Sequence, residues 1–220
     1  METSPQGLAL TSSEELAGDI APLRRALGEP EVLASLTALA ELVEAPRPDT
    51  VPALRAFLER YRDRMLMAVE LPAIRQAYDH AMRGEVRELV ALDRSLAGQL
   101  GRSAFADASR HTGRMQLRRV RPLRQRTLQR YLGAVERGEA TGWHMVVFGV
   151  LLALFSMPLR QGLVHFAIQA QRQVLNSAPV TDRLTLSERS RLCAECDAPV
   201  GAAVQRLIPA FVPRVVQASP

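Results

Sequence analysis

The chain has 220 residues, of which 47% are hydrophobic and 23% are charged. These values are ordinary for a globular protein, so the composition excludes a chain that is disordered throughout, and the length predicts one domain rather than two. Only 5% of the residues are aromatic, and a core built from Leu, Ala, Val and Met favours helices over a β-sandwich or a barrel.

Charge is unevenly distributed along the chain. All 28 basic residues are arginines. Residues 1–50 hold nine acids and three arginines, a net charge of −6, whereas Arg102–Arg137 holds ten arginines and two acids, a net charge of +8. One segment is therefore strongly basic, and the acidic opening segment could face it or face another surface.

The opening residues METSPQGLAL carry no basic stretch followed by a long apolar one, so no signal peptide is predicted. The longest apolar run, Met145–Phe155, is well short of the roughly 20 residues that span a bilayer. We therefore expect a cytoplasmic protein that has no membrane partner.

Two helices are predicted within residues 1–50, before the main body of the chain. The first begins at a run of Thr and Ser followed by Glu14 and Glu15, and it ends at Gly28. The second spans Glu31–Glu44. Three prolines between Ala45 and Pro52 then mark a linker into a helical core domain over residues 51–208.

Apolar residues in the core domain recur every three or four positions, and Gly or Pro interrupts the pattern at intervals. The predicted helices span residues 53–68, 72–83, 85–100, 103–120, 123–137, 142–155, 159–176, 186–197 and 200–207. No stretch alternates as a strand would. The sequence therefore predicts an all-α, single-domain bundle of about ten short helices, followed by an extended, mobile tail over residues 209–220.

Three stretches of the core domain resemble, in order and spacing, the urease accessory protein family UreF. The stretch GWHMVVFGVLLALFSMPL, residues 142–159, is similar to the family's G-H-H-P-V-V-F-G segment, which leads into an apolar helix. The stretch ASRHTGRMQL, residues 108–117, resembles the S-R-x-x-G-x-x-L-L helix. Residues 70–96 look like a helix pair in which a short glycine turn precedes an A-L-D helix.

The resemblance also has departures. Trp143 and Met145 differ from the family's pattern, and the usual opening segment L-P-x-G-x-F-x-x-S-x-G-L-E is missing. The later turn R-L-G-x-x-G-Q is missing too, with residues 180–187 in its place. The chain is therefore interpreted as a divergent member whose N-terminal partner surface cannot be carried over.

The resemblance implies a homodimer that bridges a UreD-type (also called UreH) accessory protein and a UreG-type GTPase. That assembly would pass Ni²⁺ to apo-urease, so nickel is cargo and no tightly bound cofactor is expected. The positions predicted to form the partner or dimer interface are His144, Val147, Phe148, Gly149, Ser109, Arg110, Gly113 and Arg114.

The apolar helix over residues 142–155 has two interpretations. A helix that is apolar on nearly every side must be buried, either in the core of one chain or at a dimer seam. Gly149 would let another backbone approach closely in either case. His144, at the start of the helix, is interpreted as a hydrogen-bonded structural histidine rather than a ligand.

The basic segment leaves three alternatives open. Arg110, Arg114, Arg118 and Arg121 share one helix face, because they are three or four residues apart. That face could pair with the chain's own acids, bind acidic patches on a partner protein, or bind nucleic acid. Few aromatic residues interleave with the arginines for base stacking, so an arginine-rich nucleic-acid-binding regulator is the alternative function.

Metal binding and catalysis find little support in the sequence. Cys193 and Cys196 could hold a soft metal, but a closed site needs four ligands and the four histidines are scattered. No metal site is therefore predicted, and these cysteines are candidates only for a transient nickel contact where two copies meet. The motifs of serine hydrolases, P-loop nucleotide-binding proteins and zinc proteases are absent, so we expect no enzymatic activity.

Overall fold

The computed structural model describes residues 35–208, which fold into helices with no β-strand among them. The α-helices are α1 (Leu36–Leu42), α2 (Val51–Tyr61), α3 (Leu71–Arg83), α4 (Val86–Leu100), α5 (Ala104–Val120), α6 (Arg126–Glu136), α7 (His144–Leu154), α8 (Leu159–Ser177), α9 (Leu186–Asp197) and α10 (Val200–Leu207). A π-helix, Arg62–Glu70, joins α2 to α3, and a 3₁₀-helix, Pro179–Arg183, follows α8. The predicted all-α, single-domain fold is confirmed.

Two predicted features lie outside the described residues. These are the helix that ends at Gly28 and the mobile tail over residues 209–220. Of the helix predicted over Glu31–Glu44, the described part contains α1, which Ser35 caps by accepting a hydrogen bond from the Ala38 amide at 3.2 Å. The division into an N-terminal part, a core domain and a tail stays a prediction.

The break predicted after residue 68 is wrong, because the π-helix carries the chain from α2 into α3 without interruption. Pro72 has no N–H and its ring clashes with the carbonyl four residues back in an α-helix. The wider winding of a π-helix, with bonds between residues five apart, accommodates it. Consistent with that winding, the Leu71 amide bonds to the Leu66 carbonyl.

Helix α7 lies at the centre of the bundle, where it packs against α3 on one side and α5 on the other. Every residue from His144 to Leu152 is buried. At Gly149 a β-carbon would lie only 2.4 Å from the Ile74 carbonyl oxygen, so α3 and α7 touch backbone to backbone. None of the described helices is long and apolar enough to cross a bilayer.

Candidate functional site

The first polar feature of the core is the entry to α7, where backbone donors converge on one carboxylate. The N-cap residue, Trp143, gives no side-chain cap to the helix. Instead Asp93, from α4, accepts hydrogen bonds from the amides of Thr141, Gly142 and Trp143, the last two at 3.0 and 3.3 Å. A carboxylate near helix N–H groups is favoured by the helix dipole as well. Asp93 thus anchors, from a different helix, the segment that leads into α7.

A second set of bonds locks Asp93 in place. The Tyr131 hydroxyl, from α6, donates to Asp93 Oδ2 at 2.7 Å, and the Trp143 indole N–H donates to the Asp93 carbonyl at 2.8 Å. Burial, together with the nearby Asp93 charge, raises the pKa of Tyr131 well above its usual value, so the phenol stays protonated and remains a donor. Asp93 is fully buried, and this network joins α4, α6 and α7.

His144 occupies the first turn of α7 and is the centre of another buried network. Its Nδ1 lies 2.8 Å from Ser109 Oγ on α5, and its own amide lies 3.4 Å from the same oxygen. The hydroxyl oxygen accepts from the amide and is also within hydrogen-bond distance of Nδ1. Nε2 faces Glu70 Oε1 at 3.5 Å, longer than an ordinary hydrogen bond.

Glu70 is the last residue of the π-helix, and its carboxylate is almost fully buried. The Tyr61 hydroxyl donates to its Oε2 at 2.7 Å. Burial and the nearby Glu70 charge raise the pKa of Tyr61 well above its usual value, which keeps this donor protonated. Residues nine apart lie on nearly opposite faces of an α-helix, so the π winding is what allows Tyr61 to reach Glu70.

Ser109, His144 and Glu70 repeat the residue types of a hydrolytic triad, but their surroundings suit another role. A nucleophile must meet a substrate, whereas these residues are 0%, 2% and 1% exposed. The imidazole stacks on Phe166 with ring centroids 5.7 Å apart and meets the edge of Phe105 at 6.1 Å. The network is therefore placed to fix α5, α7 and the π-helix relative to one another.

Gly113 lies one helical turn beyond Ser109 and explains how α5 comes so close to α7. A β-carbon at this position would lie 2.1 Å from the Gly142 carbonyl oxygen and 2.8 Å from the His144 amide nitrogen. Real β-carbons do not approach backbone atoms so closely, so a larger residue would push the helices apart. Gly142 itself has a φ of +80°, which favours glycine at the turn into α7.

Four residues of these networks, Glu70, Asp93, Ser109 and His144, lie in the stretches that carried the family resemblance. A comparison with protein-family models matches UreF over residues 49–180, which is more than half of the chain. The chain belongs to the UreF family. UreF is a family of urease accessory proteins, and the matched range includes Asp93, Ser109, Gly113 and His144. A comparison with curated proteins finds no match.

The interface residues predicted on α7 of this UreF chain lie in the core of a single chain. His144, Val147 and Phe148 are 2%, 0% and 8% exposed, and Gly149 is in backbone contact with α3. Core packing, one of the two interpretations of this helix, therefore accounts for their environment. A direct contact between these positions and a partner stays a prediction, as it does for Ser109 and Gly113, which are also buried.

The two predicted arginine positions lie at the edge of the same entry to α7. The Arg110 guanidinium lies 5.9 Å from the Trp143 ring centroid and forms an ion pair with Asp107. The Arg114 Nε donates to the Thr141 carbonyl at 3.1 Å, and the side chain is exposed. Both arginines thus reach solvent while holding the 141–143 segment, so a partner could meet them without opening the core.

The cysteine pair lies on α9, away from the buried networks, and both thiols are partly buried. Burial and the neighbouring Asp197 raise the pKa of Cys196 to about 11. Since the thiolate is the metal-binding form, this shift disfavours a metal at Cys196 at neutral pH. Among residues 35–208, no group of three or more His, Cys, Asp or Glu side chains is placed to hold a metal ion.

Sequence reasoning missed four of the functional positions that the structure brings together, namely Asp93, Tyr131, Glu70 and Tyr61. A signal existed for Asp93, because it interrupts the apolar face formed by Leu89 and Leu96 on α4. A carboxylate on a buried face must find donors. The other three gave no such signal, since their partners depend on how distant helices pack.

Proposed function

We propose that this UreF-family chain is a non-enzymatic scaffold in urease maturation. It bridges a UreD/UreH-type accessory protein and a UreG-type GTPase, so that the assembly passes nickel to apo-urease. The main observation in support of this role is that the residues of the family motifs pack two helices together in the core. Ser109, Gly113 and His144 hold α5 against α7 in the core, so they make the bundle rigid and are not exposed to a substrate.

The proposal also covers the oligomeric state of the chain, its location and its relation to nickel. It acts as a homodimer in the cytoplasm, and nickel is cargo of the assembly rather than a cofactor bound tightly by this chain. The raised pKa of the Cys196 thiol supports this view of nickel. Exposed arginines such as Arg114 supply the kind of surface that gives protein partners fast and specific association.

Co-expression with a UreG-type GTPase and a UreD-type protein tests the scaffold role. Size-exclusion chromatography with light scattering should show one complex that contains all three proteins and two copies of this chain. A chain that elutes alone, beside partners that are folded and active in GTP binding, would contradict the proposal. Omitting this chain is the control, because the two partners should then fail to elute together.

A nucleic-acid-binding regulator is the second candidate, favoured by the exposed arginines Arg118, Arg124 and Arg126 around the turn between α5 and α6. Contacts to phosphates make binding strongly dependent on salt. Nanomolar binding to a DNA duplex with a steep salt slope, alongside no protein complex, would replace the scaffold proposal with this one.

A further inference from the structure

A surface groove of about 760 Å³ runs between α4 and α6, and none of the residues of the buried networks lines it. Arg87 and Arg94 line one side of it, and Arg130 and Arg137 line the other. Within each pair the arginines are seven residues apart, which is about two turns of helix. Each helix therefore presents two guanidinium groups to the same groove.

Some of the charged side chains that line the groove already contact other residues of the chain. Arg137 holds Glu139 with two contacts, at 2.6 and 3.1 Å, and these lower the pKa of the Glu139 carboxyl. The Arg94 Nε donates to the Glu139 carbonyl at 2.6 Å. Glu85, also in the lining, is held by Arg83 at 2.8 Å.

Two arginines of the lining make no such contact. Arg87 and Arg130 are exposed, and neither forms an ion pair or side-chain hydrogen bond with another residue of the 35–208 range. Glu88 also lines the groove.

We propose that this groove binds an acidic segment of a partner protein in the urease maturation assembly, an inference that rests on the proposed function. Carboxylates of that segment pair with Arg87 and Arg130, whose planar guanidinium groups match carboxylates in bidentate geometry. Val86, Val90 and Ala134 give the groove an apolar lining. An aliphatic side chain of the partner segment, located between its acidic residues, packs against this apolar lining.

The lining also argues for a protein segment over nucleic acid. Glu85, Glu88 and Glu139 share the groove with the arginines, so the lining offers separated positive charges and not the continuous positive strip that follows a phosphate backbone. None of the described residues that line the groove is aromatic, so bases would find no stacking platform. Apolar contacts together with separated positive charges suit a chain of mixed acidic and aliphatic residues.

The test compares two double charge reversals in the full-length chain. The variant Arg87→Glu/Arg130→Glu alters the groove, and Arg160→Glu/Arg183→Glu makes the same change in net charge at exposed arginines elsewhere. Both variants are first shown to melt within a few degrees of wild type. Each is then titrated with the UreG-type GTPase and, separately, with the UreD-type protein, and the Kd is measured.

We expect the groove variant to bind one of these partners at least about tenfold more weakly, while the control variant binds both like wild type. Equal affinities for the two variants would overturn the groove proposal and leave the scaffold role standing. If wild type bound neither partner, the scaffold role and this inference would both fail. If a 20-base-pair DNA duplex bound to wild type and to the control variant but not to the groove variant, the proposal that a protein segment occupies the groove would be wrong.

Discussion

Ser109 and His144, 35 positions apart in the chain, meet in the core with 2.8 Å between the serine Oγ and the histidine Nδ1. The contact joins α5 to the first turn of α7, and the hydroxyl also lies 3.4 Å from the His144 amide. One small side chain therefore satisfies two polar groups of the most buried helix.

Replacing Ser109 with alanine should destabilise the fold, because His144 Nδ1 and the His144 amide then lose a shared partner inside the core. We expect a loss of about 1–3 kcal/mol in the free energy of unfolding, measured by urea denaturation. Ser95→Ala is the matched control, since that hydroxyl is exposed and bonds only to the Leu92 carbonyl. Equal effects of the two substitutions would show that the Ser109 contact contributes nothing.

Asp93→Asn should lower the free energy of unfolding more than the loss of the Tyr131 hydroxyl does. The amide group of asparagine presents one acceptor oxygen where the carboxylate presents two, and its NH₂ would face backbone donors. We expect a loss of about 3 kcal/mol or more in urea denaturation. Tyr131→Phe removes only one donor to the same carboxylate and should cost about 1.5–3 kcal/mol. A milder effect for Asp93→Asn than for Tyr131→Phe would contradict the role of Asp93 in anchoring the 141–143 segment.

Gly149→Leu should prevent folding of the single chain rather than only weaken a dimer. A β-carbon there would lie 2.4 Å from the Ile74 carbonyl oxygen and 2.8 Å from the Ala77 β-carbon, and overpacking of this kind separates the helices. Circular dichroism and size-exclusion chromatography should show lost helicity or aggregation. A variant that stays folded but becomes monomeric would place Gly149 at a dimer seam instead.

Gly98→Ala is the control for that substitution. Gly98 lies within α4, and nothing stands within 4 Å of an added β-carbon. Alanine should therefore stabilise the protein by about 0.5–1 kcal/mol through its higher helix propensity. The opposite signs expected at these two glycines separate tight packing from backbone preference.

The fold class and the burial of α7 could be predicted because both depend on short stretches of sequence. Helical periodicity needs only a window of a dozen residues, and the uninterrupted apolar run from Met145 leaves no face for solvent. The ends of the helices follow from local groups as well, as at Thr185, whose hydroxyl and Glu188 form a capping box.

The candidate site could not be predicted to the same extent, because its contacts join residues far apart in sequence. Tyr61 reaches Glu70 only through the π-helix, which the sequence pattern did not reveal. Asp93 meets residues 48 to 50 positions away. The groove likewise requires α4 to pack beside α6 before its arginines become neighbours.

The stability of the α3–α4 turn should depend on pH through Glu85. Hydrogen bonds from Arg83 and His80 lower the pKa of this carboxyl from 4.5 to about 2. Between these values the unfolded chain binds more protons than the folded one, so the stabilisation is present above pH 4.5 and is lost as the pH falls toward 2. The effect on stability is small, because the group is at the surface.

Glu85→Gln isolates this contribution. Thermal melts of wild type and variant should differ most above pH 5, with the variant melting lower, and the difference should shrink steadily at lower pH. A difference that is constant from pH 3 to pH 7 would show that the carboxylate charge is not responsible.

The most direct test of the central claim is the nickel content of urease itself. The urease structural and accessory genes from the same source are expressed with and without this chain, and nickel per urease active site is measured in the purified enzyme. We expect low nickel occupancy without the chain and restored occupancy when wild type is supplied. Full nickel loading in its absence, at limiting nickel, would contradict a role in urease maturation.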